Sequence, residues 1–295
     1  MRCTYRFPVK GCFRPETGAF FTDTRWSVCF DVDSSGYATH LLYSLPIDPK
    51  EAPILRRPTG GALGHINVPT PNLEAVRRHA QVLENALSLF GVFSISTDEW
   101  WIDWVPENES ERNTLSMKRF ARKHDRSYPD EAPLVPVDLV SRCVSKTDDL
   151  YGIDSLLCFC RHGREDLQRE QFIDAFYDFF FVIESRFGGG KFRKKQLLEE
   201  FKKHNELMSV VSAAKAERAE WQDGTSRSQP YEQKDPLDIL GLLIRVRGKL
   251  HHHTARKRGI WHPGEQAVYR ADAMFLGRIA YRVCLDLLTD ALGIV

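Results

Sequence analysis

Nine residues, Arg245-Val246-Arg247-Gly248-Lys249-Leu250-His251-His252-His253, bring together two arginines, a lysine and three histidines. No acidic residue occurs from Ile239 to Gly264. A guanidinium clamps phosphate through a rigid fork of donors. An imidazole gives and takes protons near neutral pH. That combination suits cleavage of an RNA phosphodiester by its own 2′-hydroxyl, which needs no metal. Arg247 and His252 are the pair expected to do it. On a regular helix five steps turn through about 500°, so the two would sit about 140° apart. They converge only if the helix loosens between them, and Gly248 makes such an ending easy.

Two other readings of the same stretch stay open. His251, His252, His253 and His262 suggest a metal site, but consecutive imidazoles on a helix point about 100° apart and no carboxylate ligand stands nearby. The third reading is structural, with cations and imidazoles satisfied by the carbonyls of a helix C-terminus. Cys158-Phe159-Cys160-Arg161-His162 has one ligand cluster and no second pair, so buried small residues are expected there, not zinc. No metal and no cofactor is expected.

The elements that position these residues read as two halves. Trp26, Val28, Phe30 and Val32 alternate with Ser27, Cys29 and Asp31, the period of a half-buried strand. Asp33 to Gly36 is turn chemistry, and Tyr37 to Leu45 returns as an antiparallel partner. Thr70-Pro71 opens a helix with Leu73, Val76, Ala80, Leu83, Leu87 and Phe90 on one stripe, stopped by Gly91. A strand from Val92 to Val105 sets Trp100, Ile102 and Trp104 on one face; they are core, or a platform for a base. The charged and proline-rich stretch after Pro106 marks a boundary. The expected division is an N-terminal domain over 1–128, a linker over 129–149 and a helical domain over 150–295.

Beyond the boundary the pattern is helical. A short helix from Leu150 stops near Gly163. The next, about Asp166 to Phe187, carries Phe172, Phe176, Phe180, Ile183 and Phe187 on one face, widened by Phe179, Phe181 and Val182. A helix this apolar is buried on several sides, at a bundle centre or against a second subunit. A third helix starts near Lys191 and runs past Ala213. Its basic start, Lys191, Arg193, Lys194 and Lys195, opposes the helix dipole, which leaves a solvated or a phosphate-facing surface. Asp235-Pro236 opens a fourth helix, and a last one runs from about Glu265 to Leu292. The fold class expected is α+β: a mixed sheet with a helix, then an all-α bundle.

Composition sets limits. Net charge is +1, so basic surface must be local. No apolar run reaches the roughly 18 residues of a membrane span. Met1 to Arg6 lacks a signal-peptide core, and seven irregularly spaced cysteines suit reduced thiols. A cytoplasmic protein with no membrane partner is expected.

The helical half resembles a HEPN domain, whose signature is Arg, four to six residues, then His near the end of a core helix. Arg247 and His252 fit a spacing of four; His253 would fit five, as would Arg245 with His251. Gln171 to Glu184, preceded by Arg161-His162-Gly163-Arg164, is similar to the first long helix of HEPN proteins of the ApeA-like and methylamine-utilisation J-like type. The resemblance covers about Leu150 to Leu292. It implies that Glu184 holds the motif arginine and that two copies form a homodimer whose motifs line one cleft. It also implies a metal-independent endoribonuclease, a hydrolase of toxin or antiphage type, with RNA as substrate and an antitoxin or other protein partner. Catalytic roles then fall to Arg247, His252, His253 and Glu184. Lys191, Arg193, Lys194, Lys195, Arg245, Lys249, Arg256, Lys257 and Arg258 would hold the RNA backbone. Many active members have Asn, Asp or His after the Arg, where this chain has Gly248. The alternative is a non-catalytic HEPN module that binds nucleic acid, a nucleotide or a protein.

Overall fold

The computed structural model describes residues 1–16, 20–22, 26–56, 65–91, 93–97, 99–115, 117–120, 134–217, 221, 228–251 and 264–294. The chain is α+β, with an antiparallel sheet in its first half and helices in its second. It forms two compact units, Met1–Leu150 and Tyr151–Val295.

In the first unit the chain makes β1 (Arg2–Gly11), β2 (Arg14–Pro15), β3 (Phe20–Thr22), β4 (Ser27–Val32) and β5 (Ala38–Pro46). Then come β6 (Ile54–Arg56), β7 (His65–Asn67), α1 (Leu73–Leu87), β8 (Phe93–Ile95), β9 (Trp101–Val105), α2 (Glu109–Thr114) and β10 (Arg119–Phe120). Among the described residues the main sheet runs β10-β9-β1-β5-β4-β3, with β8 also on β1. Alternation builds it. Cys3, Tyr5, Phe7 and Val9 are fully buried, while Arg2, Thr4 and Arg6 turn to the other face. β4 and β5 pair antiparallel around the Asp33 turn, where Asp33 Oδ1 accepts from the amides of Ser35 and Tyr37.

α1 covers the buried face. The Tyr43 hydroxyl meets His79 Nδ1 at 2.8 Å, and Tyr5 donates to the Pro71 carbonyl at 2.9 Å. The helix starts at Leu73 after Asn72, at φ 59°, and ends at Leu87, a shorter span than Thr70 and Gly91 suggest. The strand expected from Val92 to Val105 is two, β8 and β9. Of the expected aromatic face, Ile102 and Trp104 are core and Trp100 is half-buried. Ile102 opposite Tyr5 and Trp104 opposite Cys3 share β1's buried side, and the Trp100 ring is edge-on to Tyr5. The register leaves Trp104 no free ring face for a base.

From Leu134 onward the stretch expected as a linker is folded; 129–133 lie outside the described residues. β11 (Leu134–Val135) pairs with β2, and α3 (Val137–Ser145) and α4 (Thr147–Leu150) follow. Val140, Cys143, Val144 and Leu150 are buried, and both helices pack on α1. Pro136 is the N-cap of α3, and Glu16 accepts from the Val137 amide at 2.9 Å. Pro136 here starts an element instead of separating domains.

In the second unit the helices are α5 (Asp154–Gln168), α6 (Phe172–Phe187), α7 (Lys194–Phe201), α8 (Asn205–Ala216), α9 (Gln229–Gln233), α10 (Pro236–His251) and α11 (Arg270–Leu292). α6 is the centre, packed by α5 and α11 with α10 at its side. Its apolar girth is therefore met inside the chain and does not by itself call for a second subunit; Phe181 remains 38% exposed. α5 does not stop at Gly163. Gly163 and, across from it, Gly277 of α11 flank the buried Phe179 ring. A Cβ on either would lie 2.6 or 2.7 Å from it. The glycine makes room and the helix continues. The single helix expected from Lys191 is two, α7 and α8, broken around Lys202 to His204. Among the described residues no helix is long and apolar enough to cross a membrane.

Candidate functional site

α10 begins where Asp235 Oδ1 accepts from the Asp238 amide at 2.9 Å, with Pro236 at the first position. Ile239, Leu240, Leu243, Ile244 and Leu250 are its buried residues. Arg247 follows Ile244 by three and Leu243 by four, so it flanks that buried stripe. The helix continues through Gly248 to His251. The break expected at Gly248 is not there. Leu250, only 2% exposed, anchors the turn beyond it, and core burial outweighs the roughly 1 kcal/mol that glycine costs a helix.

Arg247 is held from three sides. Its Nη2 lies 2.9 Å from Glu184 Oε1 and donates to Oε2 at 3.2 Å. Nη1 donates to the Phe192 carbonyl at 3.3 Å. The guanidinium stands 5.1 Å over the Phe180 ring. Burial pushes the Glu184 carboxyl above its usual range, against the opposing pull of Arg247.

The path from α6 to α7 supplies the opposite wall. Gly188 donates to the Glu184 carbonyl at 2.8 Å and ends α6. Gly189 at φ 51° and Gly190 at φ 70° then reverse the chain, in backbone conformations that suit glycine. The Lys191 amide closes the turn on the Gly188 carbonyl at 2.8 Å. Phe192 arrives beside Arg247, and Arg193 is the N-cap of α7 without a side-chain cap bond or an acidic residue in the first turn. The uncapped helix start adds its partial positive charge to the cations.

Phe192, Arg193, Lys194, Ile244, Arg247, Gly248 and His251 line a cleft of about 440 Å³. Arg193 and Lys194 have no carboxylate partner among the described residues. Phe192 is 68% exposed. His251 is four steps along the helix from Arg247, about 40° past one turn, so the two share a helix face.

Of the residues expected to act, Arg247, Glu184, Arg193 and Lys194 come together. Arg245 and Lys249 are exposed, about 160° round the helix from Arg247 at the nearer step, and do not line the cleft. Lys191 and Lys195 are exposed beside it. His252, His253, Arg256, Lys257, Arg258 and His262 lie outside the described residues. The sequence offers His251 as a metal ligand, as a partner of Arg245 or as a histidine met by helix-end carbonyls, and not as a partner of Arg247. Its spacing from Arg247 on an unbroken helix was the signal. Phe192 carried a weaker one, basic residues on both sides.

Among the described residues no three His, Cys, Asp or Glu side chains converge as metal ligands. Cys160 is buried against Cys284, whose thiol also contacts the Leu156 carbonyl. In the first unit, a shallower cleft of about 610 Å³ carries Arg6, Arg112, Lys118 and Arg119. Asp103 takes Arg6 at 2.9 Å and Arg119 at 2.5 Å, and Asp31 takes Arg6 at 2.6 Å. Asp103 itself lines this cleft, whereas no carboxylate among the described residues lines the Arg247 cleft, which is therefore the better anion site of the two. Compared with known proteins, the chain matches no family model, no curated protein and no solved structure.

Proposed function

We propose that the Arg247 cleft binds the phosphodiester backbone of RNA and cleaves it without a metal, in the manner of a HEPN endoribonuclease. One observation carries this reading: a guanidinium fixed by Glu184 and the Phe192 carbonyl shares a helix face with an imidazole, next to two cations without carboxylate partners among the described residues. Arg247, with Arg193 and Lys194, neutralises the phosphate. The 2′-hydroxyl attacks phosphorus and gives its proton to an imidazole. The 5′-oxygen leaves and takes a proton, and a 2′,3′-cyclic phosphate remains. His251 lines the cleft; His252 follows it and fits the motif spacing. The protein would act in the cytoplasm, as a homodimer through its helical unit, under an antitoxin or other protein partner.

The test uses single-stranded RNA in excess EDTA with wild type, Arg247→Ala, His251→Ala and His252→Ala. Cleavage to cyclic phosphate should persist in EDTA and be lost with Arg247→Ala and with one histidine variant. Activity abolished by EDTA refutes the mechanism. A non-catalytic binding module is favoured by a different observation, that Arg247 already spends both terminal nitrogens on its own chain. RNA bound tightly but never cut would select it.

A further inference from the structure

We infer that the cleft takes an unpaired nucleotide, its base stacked on the Phe192 ring and its phosphate against Arg193, Lys194 and Arg247. This rests on the reading of the cleft as an RNA site and adds which form of RNA it accepts.

Phe192 is the most exposed large apolar side chain among the described residues, at 68%. The other exposed phenylalanine has ring neighbours: Phe181 lies 5.3 Å from Phe159 and 6.4 Å from Tyr177. Phe192 makes no ring contact among the described residues. Yet its backbone is fixed. Its carbonyl takes the Arg247 bond at 3.3 Å, and the turn before it is closed at 2.8 Å. An apolar ring held in water on an anchored backbone, with cations on both sides in sequence, is a platform for a flat group that carries negative charge. A nucleotide is such a group. Aromatic stacking accepts any base because every base has a π-face. In a duplex the faces are occupied by neighbouring pairs, so Phe192 selects single strands, loops or bulges. The cleft volume of about 440 Å³ falls within the roughly 300–1,000 Å³ of small-ligand pockets, which suits one nucleotide.

The experiment uses the full chain and two short fluorescent 2′-O-methyl oligonucleotides, which have no free 2′-hydroxyl to attack. One carries all its bases and the other is abasic throughout, with the same phosphates. By anisotropy the intact strand should bind about tenfold tighter, in line with the stacking of one base. Phe192→Ala should abolish that difference and leave abasic binding as it was. Phe192→Trp should keep it. Equal binding of the two strands by wild type overturns the inference while the phosphate site stands. So does a Phe192→Ala variant that weakens both strands equally, the result expected if the ring docks a protein or only shapes the cleft. If neither strand binds, the RNA reading itself falls, and this inference with it.

Discussion

Four glycines lie inside helices of the second unit, and the same substitution should act on them with opposite signs. Take Gly277→Ala. Alanine gains about 1 kcal/mol of helix propensity over glycine. Against that, the new Cβ would stand 2.7 Å from Phe179 Cε2 and 3.0 Å from its Cζ. The ring is fully buried and cannot retreat, because Gly163 on α5 lies as close on its other side, with 2.6 Å to a built Cβ. Overpacking of a filled core costs about 1–3 kcal/mol, and a two-sided clamp belongs at the upper end. The net loss is then on the order of 2 kcal/mol, roughly 4–8 °C for a domain near 150 residues. Gly248→Ala is the control. Its Cβ meets nothing within 4 Å, so propensity alone remains and about 0.5–1 kcal/mol is gained. Calorimetry of the full chain should show one transition falling in Gly277→Ala and rising in Gly248→Ala. Phe179→Leu should recover part of the Gly277→Ala loss. If Gly277→Ala stabilises as Gly248→Ala does, the clamp is wrong. If Gly248→Ala destabilises, α10 bends at Gly248 after all.

Other outcomes follow from the same contacts. Glu184→Gln keeps the side chain's shape and removes a charge whose burial is costly, so stability by urea unfolding should change by less than about 1 kcal/mol; Glu184→Ala strands Arg247 and should cost about 1–3 kcal/mol. Equal losses in the two variants would contradict that account. Burial, and then the nearby Asp166, Asp174 and Glu165, push the Asp178 carboxyl up to about 6. A folded pKa above the unfolded one means that the folded chain keeps the proton, so this contribution is present at low pH and lost as pH rises through about 6. The shift of about two units equals roughly 3 kcal/mol, which solvent screening of a half-buried group reduces to about 1 kcal/mol. Asp178→Asn should raise the melting temperature at pH 7.5 and make no difference near pH 3.5; the same gain at both would refute this.

Periodicity made much of the fold legible. The alternation of Val28 and Phe30 marks β4, and the stripe from Phe172 to Phe187 marks α6. Glycine misled twice. Its intrinsic cost predicts stops at Gly163 and Gly248, but that cost is small beside what tertiary packing supplies. The Phe179 ring needs an absent side chain at Gly163, and buried Leu250 holds the helix past Gly248. Proline misled once, since Pro136 caps α3 where a linker was expected. Breaking α10 at Gly248 also hid the pairing of Arg247 with His251, which an intact helix places on one face. The tie from Arg247 to the Phe192 carbonyl spans 55 residues of sequence; no local pattern encodes it.

α10 shows its cations on two sides. Arg247 looks into the cleft, while Arg245 and Lys249, one turn apart, face solvent elsewhere. An anion seated in the cleft does not touch the second pair. What reaches it from them is field, which decays over a Debye length of about 8 Å in physiological salt. Their contribution is therefore to arrival. Neutralising both should slow association at low ionic strength, leave dissociation unchanged, and lose its effect as salt is added. On the proposed reading of the cleft, one helix divides its charge between holding a ligand and recruiting it.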